Sequence, residues 1–156
     1  MKLGCVFTQT TTDEEGRPIR DEASTTYTGA IETAPEFGRR LYTEAWERGH
    51  DRATKKVVLG DGAEWIWNIA DLHFPGATQI VDIRHGQEHI WDLAAQLWTT
   101  DDQRKKWSKK LIQKLNRGRI TALVKELQTF PTRKPDLREA LRMEADYFQR
   151  NRDRMQ

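Results

Sequence analysis

The sequence lacks the features that mark membrane-embedded and secreted proteins. Its 156 residues include one cysteine and no apolar run close to the roughly 20 residues needed to cross a bilayer. No basic and apolar leader precedes a small-residue cleavage site. Cys5 has no partner for an internal disulfide, and its place in an apolar run predicts a buried thiol. We therefore expect a cytoplasmic protein with no membrane span and no disulfide partner.

Several enzyme motifs are also missing. The chain has no Gly-x-Ser-x-Gly string, no glycine-rich phosphate loop and no cysteine pair at zinc-binding spacing. Cys5 has no nearby base in the sequence that could activate it as a nucleophile. Nucleophilic catalysis by serine or cysteine is therefore not indicated.

Charge divides the chain into an acidic part and a basic part. Residues 1–98 carry ten Lys and Arg against sixteen Asp and Glu, a net charge of −6. Residues 99–156 carry sixteen Lys and Arg against eight Asp and Glu, a net charge of +8. An acidic part can gather cations, and a basic part can meet a polyanion such as DNA. A basic helix face that is merely solvated explains the charge equally well.

Hydrophobic periodicity changes near residue 98. Before it, strand and helix patterns alternate, which predicts an α/β layer with helices packed on a mixed sheet. The predicted strands are 2–8, 24–31, 55–59 and 78–83, and the predicted helices are 33–49, 63–74 and 87–98. After residue 98 the pattern is helical throughout, at 101–115, 119–130 and 135–154. We therefore predict residues 1–98 as the α/β part and residues 99–156 as a basic, all-helical region.

Local signals refine this prediction. Thr33 and Glu36 have the spacing of a capping box, in which each side chain satisfies a backbone N–H of the other residue. Apolar residues on both faces of the first strand predict that it is buried on two sides. We expect Trp65 and Trp91 in the core and Trp67 on the surface.

Asp61 is the first candidate site residue. It follows a buried-type strand and lies between two glycines that allow a tight turn. Ligands and metals commonly bind at this edge of α/β sheets, and Mg²⁺ is often held by one or two carboxylates and several waters. The alternative is a turn aspartate that caps the helix beginning near Glu64.

Asp82, His85 and His89 follow the next predicted strand and form a second candidate group. Asp82 and His85 fall at the end of the strand that follows the strand of Asp61, so both groups can face the same edge of the sheet. His85 and His89 are four residues apart, a spacing close enough for the two to share a helix face. With Glu88 they also match His-x-x-Glu-His, the zinc motif of inverted zincin peptidases, although a chance match to so short a string is common.

Several linked strings together resemble a known family, the bacterial insertion-sequence transposases of the ISKra type. The strings are LGDGAEWIW at 59–67, FPGA at 74–77, IVD at 80–82 followed by His85 and by HIW at 89–91, KLGCVFTQT at 2–10 and TGAIE at 28–32. The resemblance extends along the whole chain and is weakest after Thr99. It is far more specific than the Gly-Asp-Gly turn alone.

The resemblance implies a DDE enzyme with an RNase H-like fold, in which three carboxylates hold two Mg²⁺ or Mn²⁺ ions for phosphoryl transfer on DNA. Asp61 matches the second acid of that triad and is thus the expected catalytic residue and metal ligand. Asp82 and His85 resemble an accessory Asp-x-x-His element, and His89 is expected to assist. The helices after residue 99 would contact transposon DNA, through Lys105, Lys106, Lys109, Lys110, Arg117 and Arg119.

The sequence also departs from the family pattern. In the family, the first catalytic Asp lies on a strand before the 2–10 strand, and the third acid follows a Gly-Ser-Gly element after the helical insertion. Neither is present in this sequence. The other acids that could replace them, Asp13, Asp21, Glu126 and Glu144, lack the family's flanking residues.

We therefore predict an internal fragment with a partial RNase H-like fold that lacks the first strand. It should be inactive alone, with a two-metal site only in the full-length enzyme. Without the bridging strand, the hairpin and the later strands expose edges. The isolated chain is then expected to be poorly stable unless it re-pairs or self-associates.

Two other functions remain open at this level. The first is a non-catalytic DNA-binding or interaction module based on the basic helices, which would bind duplex DNA with a steep salt dependence. The second, more distant, is a small zinc peptidase built on His85, Glu88 and His89.

Overall fold

The computed structural model describes residues 1–155, which form a mixed α/β protein. The strands are β1 (Lys2–Val6), β2 (Thr11–Thr12), β3 (Pro18–Ile19), β4 (Thr26–Ala30), β5 (Val57–Gly60) and β6 (Thr78–Val81). The α-helices are α1 (Ala34–Glu47), α2 (Glu64–His73), α3 (Ile83–Leu97), α4 (Asp101–Leu115), α5 (Ile120–Gln128) and α6 (Pro135–Arg150). The predicted α/β class is thus confirmed. None of these helices is both long and apolar enough to cross a membrane.

The strands form three separate two-stranded sheets rather than one. β1 pairs with β4, β2 with β3, and β5 with β6. The amide of Thr78 donates to the carbonyl of Lys56, and the amide of Asp82 donates to that of Gly60. Both bonds advance along the two strands in the same direction, so β5 and β6 are parallel.

The described chain forms two compact units. The first comprises residues 1–58 and 64–78, and the second comprises residues 59–63 and those from 79 onward. The division predicted at residue 98, between an α/β part and a basic helical region, stays a prediction.

In the first unit, the hairpin β1–β4 packs one face against α1. Leu3 opposes Gly29, and Cys5 opposes Tyr27. Both pairs lie on the other face, where Leu3 and Tyr27 are each 67% exposed. The prediction of a strand buried on both sides is therefore wrong, and Cys5 is exposed rather than buried. The reason is that the described part of this unit has no second layer to cover that face.

The capping box at the start of α1 is confirmed. The Thr33 hydroxyl accepts from the Glu36 amide, and the Glu36 carboxylate accepts from the Thr33 amide at 2.9 Å. The helix then buries Phe37 and Ala45 against Ile69 and Phe74. A local signal therefore sets the start of the helix that organises this core.

The second unit is a helical core built from α3 to α6. Its largest fully buried side chains, all at most 2% exposed, are Ile90, Leu93, Leu111, Ile120, Leu123, Leu127 and Phe148. The three predicted helices after residue 99 are all present, and α4 matches its predicted bounds of 101–115. The last predicted helix ends at Arg150 and is followed by a short 3-10 turn.

Two tryptophans differ from the prediction. Trp67 is 5% exposed, while Trp91 is 41% exposed. Trp67 lies three residues before the buried Ala70, on the same side of α2, whereas Trp91 is displaced from the stripe of Ile90 and Ala94 that α3 buries. Trp65 is half-buried and contacts Phe37 edge-on.

Candidate functional site

Asp61 occupies an exposed turn directly after β5. Its Oδ1 accepts a hydrogen bond from the Ala63 amide at 2.8 Å, just before α2 begins at Glu64. The Asp61 side chain therefore shapes the turn, through a bond to a residue that precedes α2 rather than through a cap on the first turn of that helix. The second carboxylate oxygen accepts no hydrogen bond from the described residues and remains available to a ligand.

The turn that carries Asp61 is fastened to α6 through its backbone. The Tyr147 hydroxyl donates to the Asp61 carbonyl at 2.8 Å. The Asn151 amide donates to the Gly62 carbonyl at 3.1 Å, and Asn151 is 2% exposed. Tyr147 on α6 and Asn151, the residue that directly follows this helix, thus hold successive carbonyls, which fixes the direction in which Asp61 leaves the strand.

Gly62 is required at this turn for two reasons. Its φ of +97° lies outside the range that L side chains readily adopt. A Cβ at this position would also lie 2.7 Å from the Tyr147 hydroxyl oxygen and 3.0 Å from the Asn151 amide nitrogen. The bare glycine backbone is therefore what lets α6 approach the turn.

Asp82 lies beside this turn, at the end of β6. Its amide donates to the Gly60 carbonyl at 2.8 Å. Gly60 directly precedes Asp61, so the two aspartates lie at the neighbouring ends of the parallel strands β5 and β6. Asp82 is also the N-cap of α3, with Oδ1 accepting from the Arg84 amide at 2.8 Å. Because of this cap, α3 begins at Ile83, four residues earlier than predicted, and includes both candidate histidines.

His85 and His89 lie one turn apart on α3, with ring centroids 4.9 Å apart. The Nδ1 atom of His85 lies 3.1 Å from Glu88 Oε2, and that of His89 lies 2.8 Å from Glu144 Oε2. Glu88 therefore holds a histidine instead of standing free to activate water. This arrangement disfavours the peptidase hypothesis.

Tyr147 lies at the centre of these residues. We call Asp61, Asp82, His85, His89, Glu144, Tyr147 and Asn151 the Tyr147 group. Its ring stacks on His89 with centroids 3.9 Å apart and an interplanar angle of 18°. Burial, together with the nearby carboxylates of Asp61, Glu144 and Asp82, raises the pKa of Tyr147. The phenol therefore stays neutral and donates its hydrogen bond to the Asp61 carbonyl.

Sequence reasoning missed Tyr147 and Asn151 and gave Glu144 no special place. Glu144 and Tyr147 lie on α6 and Asn151 is its C-cap; the spacings of three and four residues put all three on one side of the helix. They form a row of polar residues beside the apolar row of Leu141, Ala145 and Phe148. This pattern is visible in the sequence and could have indicated them.

The other acids considered as substitutes serve local structure. Asp13 pairs with Arg17 at 2.8 Å, and hydrogen bonds to Arg17 lower the pKa of Asp13. Asp21 accepts from the amides of Thr10 and Thr11, at 2.9 and 3.0 Å. Glu126 forms ion pairs with Lys110 and Lys114. Of the four, Glu144 alone joins the group around Tyr147.

The donor set fits a magnesium ion only in part. Asp61 and Asp82 each offer one oxygen free of backbone hydrogen bonds, and hard oxygens suit Mg²⁺ or Mn²⁺. Within residues 1–155, however, no three His, Cys, Asp or Glu side chains converge closely enough to hold a metal ion. The described residues therefore do not fit a two-metal centre.

The predicted DNA-binding residues are all exposed: Lys105, Lys106, Lys109, Lys110, Arg117 and Arg119. The four lysines lie on the face of α4 opposite its buried residues. Lys110 is paired with Glu126 at 2.8 Å. The other five form no ion pair with any described residue, so this surface carries five uncompensated positive charges.

Comparison of the chain with models of protein families, with curated proteins and with solved structures gives no match.

Proposed function

We propose that this chain supplies the second acid and the DNA-contacting helices of a DDE-type transposase. The observation that carries the proposal is the pairing of the strand ends. Asp61 and Asp82 follow adjacent parallel strands, and α6 holds the Asp61 turn through Tyr147 and Asn151. An aspartate held in this way at the carboxyl end of a strand suits metal-assisted phosphoryl transfer.

In this proposal Asp61 is the metal ligand, and Asp82, His85 and His89 support it. Asp82 connects the two strand ends, while the His89–Glu144 pair and Tyr147 fill the space between α3 and α6. The bound Mg²⁺ or Mn²⁺ would supply Lewis-acid activation of a phosphodiester. Because the described residues do not complete a two-metal centre, we expect no strand transfer from this chain alone.

The test is a titration with Mn²⁺, followed by the relaxation of water protons. We expect weak binding that Asp61→Asn abolishes, since the substitution removes the charged oxygen donor. Asp92→Asn is the matched control, because Asp92 is an exposed aspartate of α3 outside the Tyr147 group. Equal Mn²⁺ binding by wild type and Asp61→Asn would refute the assignment of Asp61 as a ligand.

A non-catalytic DNA-binding module is the second candidate function, favoured by the five uncompensated charges on and beside α4. Each phosphate contact contributes about 0.9 to the slope of log K against log salt. Replacing Lys105, Lys106 and Lys109 with Gln should therefore reduce that slope by about 3 for duplex DNA.

The matched control replaces three arginines that are already paired with carboxylates, Arg17, Arg40 and Arg142, with Gln. This variant has the same change in net charge, so equal losses from both variants would indicate a general charge effect. Equal losses would overturn the assignment of this face as the contact surface.

A further inference from the structure

His85 and His89 have the spacing, exposure and ring separation of a pair of metal ligands. The proposed function gives them no ligand role. They are four residues apart on α3, and their side chains remain 39% and 26% exposed. Two imidazole nitrogens bound at about 2.0–2.1 Å to one tetrahedral metal hold their ring centroids about 5 Å apart. The observed separation of 4.9 Å is already close to this value.

The hydrogen bonds of the two rings determine which nitrogen is available. In each ring, Nδ1 contacts a carboxylate oxygen, from Glu88 for His85 and from Glu144 for His89. A carboxylate accepts hydrogen bonds and does not donate them, so Nδ1 carries the proton in the neutral ring and Nε2 carries the lone pair. Neither Nε2 has a hydrogen-bond partner among the described residues. This carboxylate–histidine arrangement is the one that orients imidazoles toward bound metals in proteins.

The surroundings also fix the plane of one ring. His89 lies flat against Tyr147, with centroids 3.9 Å apart, and contacts Phe148 edge-on. Glu144 holds it from α6, so two elements restrain this imidazole. Less conformational freedom is therefore lost on binding than for a histidine pair on an unsupported helix.

We propose that His85 and His89 bind a borderline divalent cation, Zn²⁺, through their Nε2 atoms. Imidazole suits Zn²⁺, whereas Mg²⁺ prefers oxygen donors, so this site differs in chemistry from that of Asp61. With two protein ligands, water completes the coordination, and the site is open and exchangeable. The proposal is independent of the transposase assignment.

The test is calorimetric titration of the full chain with ZnCl₂ in excess MgCl₂, in wild type and in Cys5→Ser. The second background is needed because the exposed thiol of Cys5 is itself a zinc ligand. We expect one Zn²⁺ per chain in both. His85→Gln and His89→Gln should each weaken binding at least tenfold, and Glu144→Gln should weaken it about 10- to 100-fold.

Two variants serve as matched controls. His50→Gln changes a histidine of the first unit, and Glu139→Gln changes an exposed glutamate of α6 that pairs with Arg142. Both should bind Zn²⁺ as wild type does. Asp61→Asn should likewise leave Zn²⁺ binding unchanged while abolishing Mn²⁺ binding, so the two proposals can fail separately.

Side-chain ¹⁵N NMR of the histidines gives a measurement that needs no variant. On addition of Zn²⁺, the Nε2 resonances of His85 and His89 should shift, and those of His50 and His73 should not. Absence of Zn²⁺ binding, or shifts confined to His50 and His73, would overturn the proposal. Retained affinity in the His85→Gln and His89→Gln variants would do the same.

Discussion

Replacing Tyr147 with Phe removes one hydroxyl and leaves the ring that stacks on His89. The lost interaction is the 2.8 Å hydrogen bond to the Asp61 carbonyl. A hydrogen bond of this kind contributes about 0.5–1.5 kcal/mol net, and the Asp61 turn is exposed, so water can replace the lost donor. We therefore expect a loss of about 1 kcal/mol in the free energy of unfolding, which lowers Tm by about 2–4 °C for a chain of this size.

The assay is thermal and urea unfolding of wild type and Tyr147→Phe, with Tyr27→Phe as the control. Tyr27 is a solvent-exposed tyrosine of the hairpin, so its hydroxyl should contribute little. The Mn²⁺ affinity of Tyr147→Phe should also fall, because a looser turn holds Asp61 less well. An unchanged Tm together with unchanged Mn²⁺ binding would refute the role of Tyr147 as a clamp.

The same hydroxyl predicts a response to alkaline pH. Because the folded protein raises the pKa of Tyr147 above its ordinary value of 10.0, the folded state prefers the neutral phenol. The resulting stabilisation is complete below pH 10 and is lost as the pH rises above it. In an ultraviolet titration, wild type should therefore show one phenol that ionises above pH 10 and that is absent from Tyr147→Phe.

Two further experiments test Gly62 in the second unit and His73 in the first. Gly62→Ala should cost more than Gly76→Ala in urea unfolding. Both glycines have positive φ, which costs Ala about 1–2 kcal/mol. Only at Gly62 would the added Cβ also clash with Tyr147, because Gly76 faces open space. Equal losses of stability from the two substitutions would refute the clash. In the first unit, burial and then the charge of Arg39 lower the pKa of His73 below its ordinary value of 6.5. The neutral imidazole therefore contributes fully to stability above pH 6.5, and this contribution is lost as the pH falls through the pKa of His73 in the folded protein. His73→Leu should therefore reduce the fall in Tm between pH 7 and pH 5, and an unchanged pH profile would contradict this.

The parts of the fold that could be predicted from sequence depend on short-range interactions. The capping box of Thr33 and Glu36 needs only residues three apart, and it begins α1 where expected. Helix α4 depends on the spacing of Trp107, Leu111 and Leu115, and its bounds were also correct. Such signals are complete within a few turns of chain.

The errors concern burial, which depends on what packs against a surface. Cys5 lies in an apolar run, but no described layer covers its face of the hairpin. Trp67 and Trp91 exchanged their expected places because several residues beside an apolar stripe are equally compatible with the core. Which of them is buried is decided by the neighbouring element, and that element is distant in sequence.

The sequence by itself determined that Asp61 and Asp82 lie at or directly after the ends of consecutive strands and that His85 and His89 have the spacing of one helical turn, because both are local properties of the chain. Only the tertiary structure decided that α6 packs beside these residues. It brings Tyr147 to the Asp61 carbonyl across 86 positions of sequence, and Glu144 to His89 across 55. The physical reason is that α6 buries Leu141, Ala145 and Phe148 in the helical core. With this face buried, Glu144 and Tyr147 lie beside His89 and the Asp61 turn.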